Sequence, residues 1–220
     1  MFTHSACSEW RAVSTSVPQG SILGPLLFLI FINDMPTVVQ HCSISLYADD
    51  TSIYVSHPDP ATAGNLLEED RRYINEWLVC NGLKMNVSKT QLMVLCSHRR
   101  SHLEDQVKVH VGALELWKQN SVNYLGVTVD KHLCWHPHVD KVRRQCFGKI
   151  VAIRRASAYL PPLICRTLYL SFVLPNLEYC SVVWDRCGAA LTCKLERVQN
   201  YALRVILKKP PGSNTVEMRN

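Results

Sequence analysis

The sequence predicts an α+β protein, and three observations lead there. Through the first 130 residues apolar side chains recur with a period of two, the spacing of half-buried strands. From His132 onward the spacing becomes that of helices. The charge changes at the same place: residues 1–130 hold 9 Lys/Arg against 13 Asp/Glu, a balance of −4, while residues 131–220 hold 15 against 5, a balance of +10. A β-rich acidic unit (1–130), a basic helical unit (131–209) and a disordered tail (210–220) are therefore expected.

Composition limits the function classes. With 47% hydrophobic and 19% charged residues the chain can bury a core. Its longest apolar run, residues 22–32, is broken by Gly24-Pro25 and falls short of the roughly 18 residues that a membrane span needs. No basic segment followed by an apolar stretch and a small-residue cleavage site opens the chain. Ten scattered cysteines in 220 residues do not make a disulfide framework. The expectation is an intracellular protein, nuclear or cytoplasmic, with no membrane partner. Its basic rear attracts a polyanion such as nucleic acid.

In chain order, residues 9–13 alternate as a strand. Val17-Pro18-Gln19-Gly20-Ser21 then makes a turn, and residues 22–32 a helix with Ser21 as its cap, Pro25 in its first turn and Pro36 as its stop. That helix is apolar all round, which predicts burial. Ile44, Leu46 and Ala48 alternate with Ser43, Ser45 and Tyr47, and Thr51, Ile53 and Val55 with Ser52, Tyr54 and Ser56, so two strands meet in a tight turn at Asp49-Asp50. A helix follows His57-Pro58-Asp59-Pro60, with Leu66, Tyr73, Trp77, Leu67, Ile74 and Leu78 inward, Glu68 pairing with Arg72, and Gly82 as its end. Residues 83–87 and 91–96 alternate as strands, 97–106 is a polar loop, and Gly112 centres a hairpin of 107–111 with 113–117. Residues 124–129 form a further strand.

In the rear unit Val139, Val142, Cys146, Ile150 and Ile153 mark the buried face of one helix. Lys141, Arg143, Arg144, Lys149, Arg154 and Arg155 occupy its other faces, where they suit contacts to phosphates. Pro161-Pro162 opens a second helix that Pro175 closes. A third runs over 189–207 with Leu191, Leu195, Val198, Ala202 and Val205 inward.

Two adjacent carboxylates at a hairpin tip repel each other, and a fold that keeps them there suits hard divalent cations such as Mg²⁺ or Mn²⁺. His132, Cys134, His136 and His138 lie within seven residues, but the Cys-x-x-Cys and His-x-x-x-His pairings of a zinc site are missing.

Four motifs carry a family resemblance: Pro18-Gln19-Gly20-Ser21, Tyr47-Ala48-Asp49-Asp50, Leu83-Lys84-Met85-Asn86-Val87-Ser88-Lys89-Thr90 and Tyr124-Leu125-Gly126-Val127. In this order, with Ile32-Asn33-Asp34-Met35-Pro36 and the 195–204 segment, the chain resembles the reverse transcriptases of non-LTR, jockey-like retrotransposons from about residue 8 to residue 210. The resemblance implies part of a polymerase palm followed by a helical thumb. It implies Asp49 and Asp50 as catalytic, metal-holding residues for two Mg²⁺ or Mn²⁺ ions. Gln19, Gly20, Tyr47 and Lys89 would lie against template and incoming deoxynucleoside triphosphate, and Tyr124, Leu125 and Gly126 would grip the primer. The implied partners are an RNA template and a DNA primer.

The family's palm also carries an earlier aspartate strand, preceded by fingers, and Glu9 in Ser8-Glu9-Trp10-Arg11 does not match that strand. The expectation is therefore a polymerase fragment with little activity alone. The alternative is a non-catalytic nucleic-acid-binding remnant whose basic helices keep a role.

Overall fold

A computed structural model describes residues 20–112, 114–210 and 213, together with the backbone of 2–3 and 6–7. The strand expected at 9–13, Gln19, Ala113 and all of the tail from 211 onward except Ser213 lie outside the described residues. The fold is α+β: β1 (Phe2–Thr3), β2 (Ala6–Cys7), α1 (Gly24–Ile32), β3 (Ser43–Tyr47), β4 (Asp50–Tyr54), α2 (Pro60–Cys80), β5 (His110–Val111), β6 (Leu114–Glu115), β7 (Ser121–Tyr124), β8 (Val127–Asp130), then α3 (His136–Ala156), α4 (Pro162–Phe172), α5 (Leu174–Glu178), α6 (Ser181–Trp184) and α7 (Ala189–Ile206). Each strand pairs antiparallel with its sequence neighbour in a two-stranded sheet. Two compact units result, one of residues 1–90 with 106–115 and one of 91–105 with 116–220. Among the described residues no helix is long and apolar enough to cross a membrane.

In the first unit α2 is the organising element. Asp59 caps it by accepting the Thr62 N–H at 2.9 Å. Its far end closes as expected at Gly82, whose φ of 70° lets the Gly82 N–H reach the Val79 carbonyl and the Leu83 N–H the Leu78 carbonyl. Ile74 and Trp77 are buried against Ile32 and Met35, with Phe28, Ile44, Leu46 and Ile53 packed around them. Gly64 lets the helix approach the 107–109 segment, since a Cβ there would stand 3.1 Å from the Lys108 carbonyl oxygen. Glu68 meets the His110 ring at 3.3 Å rather than Arg72. The tertiary contact takes the place of the helical pair because α2 lies against β5.

Helix α1 is not buried all round: Ile32 is, but Leu26 and Ile30 are 54% and 66% exposed. One hairpin and one long helix offer α1 a single flank, and a helix with no polar face carries no period to say which side will find it. Its first turn is set as read, with Ser21 Oγ accepting the Gly24 N–H at 2.9 Å, although Leu23 is the residue at the cap position. Residues 83–87 and 91–96 form no ladder. Asn86 gathers the 86–90 segment into a turn by accepting from Ser88 Oγ at 2.7 Å and the Lys89 N–H at 3.3 Å, the local bonding that competes with strands. Leu92 keeps one parallel bridge to Lys118.

In the second unit the expected faces of the first and third helices are largely observed, with Leu195 only partly buried and His138 and Ile206 buried in addition. Val139, Val142, Cys146, Ile150 and Ile153 of α3 are all buried, as are Leu191, Val198, Ala202 and Val205 of α7. Val142, Cys146, Ile150, Ile153, Val198, Ala202 and Val205, together with Cys165, Val173 and Leu177, form the main core. A smaller cluster of Val127, Val139, Trp184 and Leu191 seats the β7–β8 hairpin on α3 and α7. Pro175 does not close α4; that helix ends at Phe172, and Pro175 stands in the first turn of α5, where its missing N–H costs nothing. Asp130 joins hairpin to helix by accepting the N–H groups of His132, Cys134 and Trp135 at 2.7 to 3.2 Å.

Candidate functional site

Hairpin β3–β4 pairs Tyr47 with Asp50, which leaves Ala48 and Asp49 as its two turn residues. The turn thus falls one residue earlier than the sequence suggested, and Asp50 opens β4. Ala48 has a φ of 51°, a left-handed conformation costing a non-glycine residue about 1 kcal/mol. Both aspartates are exposed, and among the described residues neither carboxylate has a hydrogen-bond or ion-pair partner. Tyr47 is 66% exposed beside them. Inward, Ile44, Leu46 and Ile53 anchor the arms on α2 and the 35–38 turn. A firmly held base thus presents two free carboxylates at its end.

The residue that fixes the base was missed by the sequence reading. Asp70, in the middle of α2, has no exposed surface, and it accepts the N–H groups of Gln40, His41 and Cys42 at 2.9, 2.9 and 2.6 Å. Those three residues lead directly into β3. Burial by itself would raise the carboxyl's pKa, but the three backbone bonds outweigh it and hold it below the usual carboxylate value. Burial, and then the neighbouring Asp70 carboxylate, push the Cys42 thiol up to about 12. The signal was available: Asp70 stands four residues after Leu66 and four before Ile74, on the apolar stripe itself.

Oxygen donors that the protein leaves unpaired suit a hard divalent cation. Among the described residues no group of three or more His, Cys, Asp and Glu side chains comes together that could hold a metal, so the hairpin offers part of a ligand set.

The remaining candidates are placed as follows. Gln19 lies outside the described residues. Gly20 has a φ of 89°, and a Cβ on it would meet nothing within 4 Å. Lys89 is exposed on the turn that Asn86 organises, not at a strand end, and among the described residues no hydrogen bond or ion pair joins it to the aspartates. Tyr124 pairs with Val127, leaving Leu125 and Gly126 as turn residues with φ of 45° and 86°, the left-handed pair typical of a two-residue hairpin loop. Tyr179 donates its hydroxyl to the Leu125 carbonyl at 2.7 Å and lies under Gly126. Lys141 reaches Asn123 Oδ1 at 3.2 Å and the Gly126 carbonyl at 3.4 Å. Arg143 pairs with Asp140 at 3.6 Å, Arg144 Nε donates to the Asp140 carbonyl at 3.2 Å, and Lys149 donates to Asn176 Oδ1 at 3.0 Å. Arg154 and Arg155 stand exposed in the last turn of α3.

A model of the family described as reverse transcriptase (RNA-dependent DNA polymerase) matches residues 2–129, more than half of the chain and the whole span from the aspartate hairpin to the Tyr124 turn. The chain belongs to this family. It is similar to the probable RNA-directed DNA polymerase from transposon X-element of Drosophila melanogaster, 26% identical over 211 residues, covering 92% of this chain and 23% of that protein. It is similar as well to the RNA-directed DNA polymerase from mobile element jockey of the same species, 26% identical over 216 residues with the same coverage. A third relative is the retrovirus-related Pol polyprotein from type-1 retrotransposable element R1 2 of Nasonia vitripennis, 23% identical over 184 residues, covering 76% of this chain and 42% of that protein. The resemblance to non-LTR elements thus holds. The chain spans about a quarter of the length of the X-element and jockey relatives. No solved structure matches it.

In this reverse transcriptase-family chain the Tyr124 turn has a measurable dependence on its glycine. Gly126→Ala places a Cβ 3.2 Å from Tyr179 Cε1 and a side chain at a φ of 86°. A loss of about 1–2 kcal/mol is expected in urea melts. An unchanged midpoint would mean that the turn relaxes freely.

Proposed function

We propose that this chain contributes the aspartate hairpin, the primer-holding turn and the nucleic-acid-tracking helices of an RNA-directed DNA polymerase. The observation that carries the proposal is the pair Asp49 and Asp50, presented free at the tip of a hairpin whose base is pinned from within. Residues 1–130 then form part of the palm and 131–209 the thumb-like region. Asp49 and Asp50 would hold two of the charges that bind divalent ions, Mg²⁺ or Mn²⁺, and those ions supply activation of a primer 3′-hydroxyl and stabilisation of a leaving pyrophosphate.

The other residues bind and orient. Gly20 leaves its backbone open to a template or nucleotide, because nothing projects from it. Tyr47 offers an exposed ring beside the aspartates for a base or sugar to rest on, and Lys89 an exposed ammonium for a triphosphate. The two-residue turn at Leu125-Gly126, clamped by Tyr179, makes a rigid edge for a primer end. Arg143, Arg144, Arg154 and Arg155, with Lys141 and Lys149, bind a duplex through its phosphates and read no sequence. Two carboxylates are too few for the complete ion pair, so the 220 residues by themselves are expected to extend a primer poorly.

A second reading, a non-catalytic nucleic-acid-binding remnant, is favoured by the lack of any gathered set of three metal ligands among the described residues. Titration with Mn²⁺, followed by its paramagnetic relaxation of solvent water, separates the two. Binding that weakens about tenfold or more in Asp49→Asn is expected from the polymerase reading, since a direct anionic ligand is lost. The same curve for wild type and variant would leave the binding-only reading standing.

A further inference from the structure

Helices α3 and α7 pack side by side, and no role above uses the aromatic pair between them or the cations of α7. Asp140 of α3 pairs with Lys194 of α7 at 3.1 Å. Seven residues further along each helix Phe147 stacks with Tyr201, their ring centroids 5.3 Å apart and their planes 20° from parallel. Residues spaced by seven share one face of a helix, so both contacts belong to a single seam. Tyr201 is the inner ring, partly buried against the main core. Phe147 lies on it and is 49% exposed. A lone exposed apolar side chain needs no explanation, but a phenylalanine already fixed in a stack is a flat apolar surface held half in water.

The surface around the pair is cationic. On α3 Arg143 stands one turn before Phe147 and Arg154 two turns after it, while on α7 Arg197 and Arg204 stand one turn to either side of Tyr201. Asp140 is shared by two of the cations, Lys194 and Arg143, the latter at 3.6 Å. Glu196, five residues before Tyr201, belongs to the opposite face of α7. Arg204 donates to a neutral oxygen, the Ser213 carbonyl, at 3.3 and 3.4 Å. Arg154 and Arg197 are exposed, and among the described residues neither has an ion-pair partner.

Phosphates alone would account for the cations and leave the rings idle. An apolar protein surface would cover the rings and strip water from unpaired guanidinium groups, which is costly. A ligand with flat faces and regularly spaced negative charges meets both demands, and an unpaired nucleotide strand has them. A duplex hides its base faces in its own stack, so only a single-stranded stretch can use the ring.

We propose that the α3–α7 seam holds a single-stranded segment of nucleic acid, with one base stacked on Phe147 and the phosphates to either side held by Arg197, Arg204 and their neighbours on α3. It rests on the reading that the basic helices bind nucleic acid, and it deepens that reading by adding an unpaired strand that runs on from the duplex.

The test uses the whole 220-residue chain, fluorescence anisotropy and three RNA–DNA hybrids: one blunt, one with a single-stranded RNA overhang of about eight nucleotides, and one whose overhang keeps the phosphates but has abasic sugars. The natural overhang should bind at least about fivefold more tightly than the abasic one, a comparison that needs no variant. The ring protons of Phe147 should move upfield under the ring current of the stacked base. Phe147→Leu keeps a helix-compatible apolar cover on Tyr201 and removes the ring, so the gap between the two overhangs should close with the log–log salt slope unchanged. Phe147→Trp should keep the gap. Arg197→Gln should flatten the slope by about 0.7.

Equal affinity for natural and abasic overhangs would overturn the proposal while leaving the nucleic-acid reading intact, since the surface would then read charge alone. A gap that persists in Phe147→Leu would overturn it by placing the base elsewhere. Wild-type chain that binds none of the hybrids even at low salt would bring down both, and capture of polyglutamate in their place would give the seam to an acidic protein segment.

Discussion

Asp70→Ala should cost the first unit about 3 kcal/mol or more, enough to unfold a marginal domain at room temperature. The carboxylate is fully buried and serves three backbone donors at the entry to β3. Alanine leaves all three unmet and opens a small void beside Leu66 and Cys42. Asp70→Asn is expected to lose about half as much, because the amide nitrogen meets an N–H where an oxygen stood. The pH dependence follows from the direction of the shift. The folded carboxyl lies below its ordinary value, so its contribution is complete above the unfolded value near ~3.9 and disappears as pH falls through the folded one. Urea melts at pH 7 and pH 3, wild type beside variant, should therefore show a large gap at pH 7 and a smaller one at pH 3. Equal midpoints at pH 7 would mean that the 40–42 segment finds its bonds elsewhere.

What the sequence made legible depended on whether a pattern had one physical cause. The buried faces of α3 and α7 were readable in all but His138, Leu195 and Ile206, because an amphipathic helix against a core leaves few solutions. Hairpin β3–β4 was readable for the same reason, as its alternating face has one place to go. Segments 83–87 and 91–96 show the opposite case. Their alternation is strand-like, but Asn86, Ser88 and Thr90 supply local bonds that a count of apolar residues does not register. In α1 the burial expectation failed because uniform hydrophobicity says that cover is wanted without saying what supplies it.

The site divides in a similar way. Adjacent aspartates between alternating arms can be recognised as a presented pair, and the ordered motifs lead to the same family as the match over residues 2–129. The support behind the pair was not recognised, since Asp70 looks like one more helix acid until its spacing from Leu66 and Ile74 is weighed. His138 was set among possible zinc ligands by its neighbours in sequence. Its actual place follows from the β7–β8 hairpin, which brings Thr128 to its Nδ1 across ten residues of chain.

The larger functional effect is expected at Asp49. In a chain that joins these 220 residues to the preceding part of a relative such as the transposon X-element polymerase, Asp49→Asn should lower RNA-templated primer extension at least about a hundredfold. That is the scale on which one preorganised charged or polar group acts on a developing negative oxygen. Tyr47→Ala, by contrast, should mainly raise the KM for nucleotide, because it removes a contact surface and no charge.

The most direct measurement is primer extension on a primed RNA template in Mg²⁺, with three proteins side by side: the 220 residues alone, the joined chain, and the joined chain carrying Asp49→Asn. The predicted result is background extension from the first, clear extension from the second and its loss in the third. Robust extension by the 220 residues alone would show that another carboxylate completes the site. Extension by the Asp49→Asn chain at the rate of its parent would contradict the assignment of the hairpin tip as the catalytic centre.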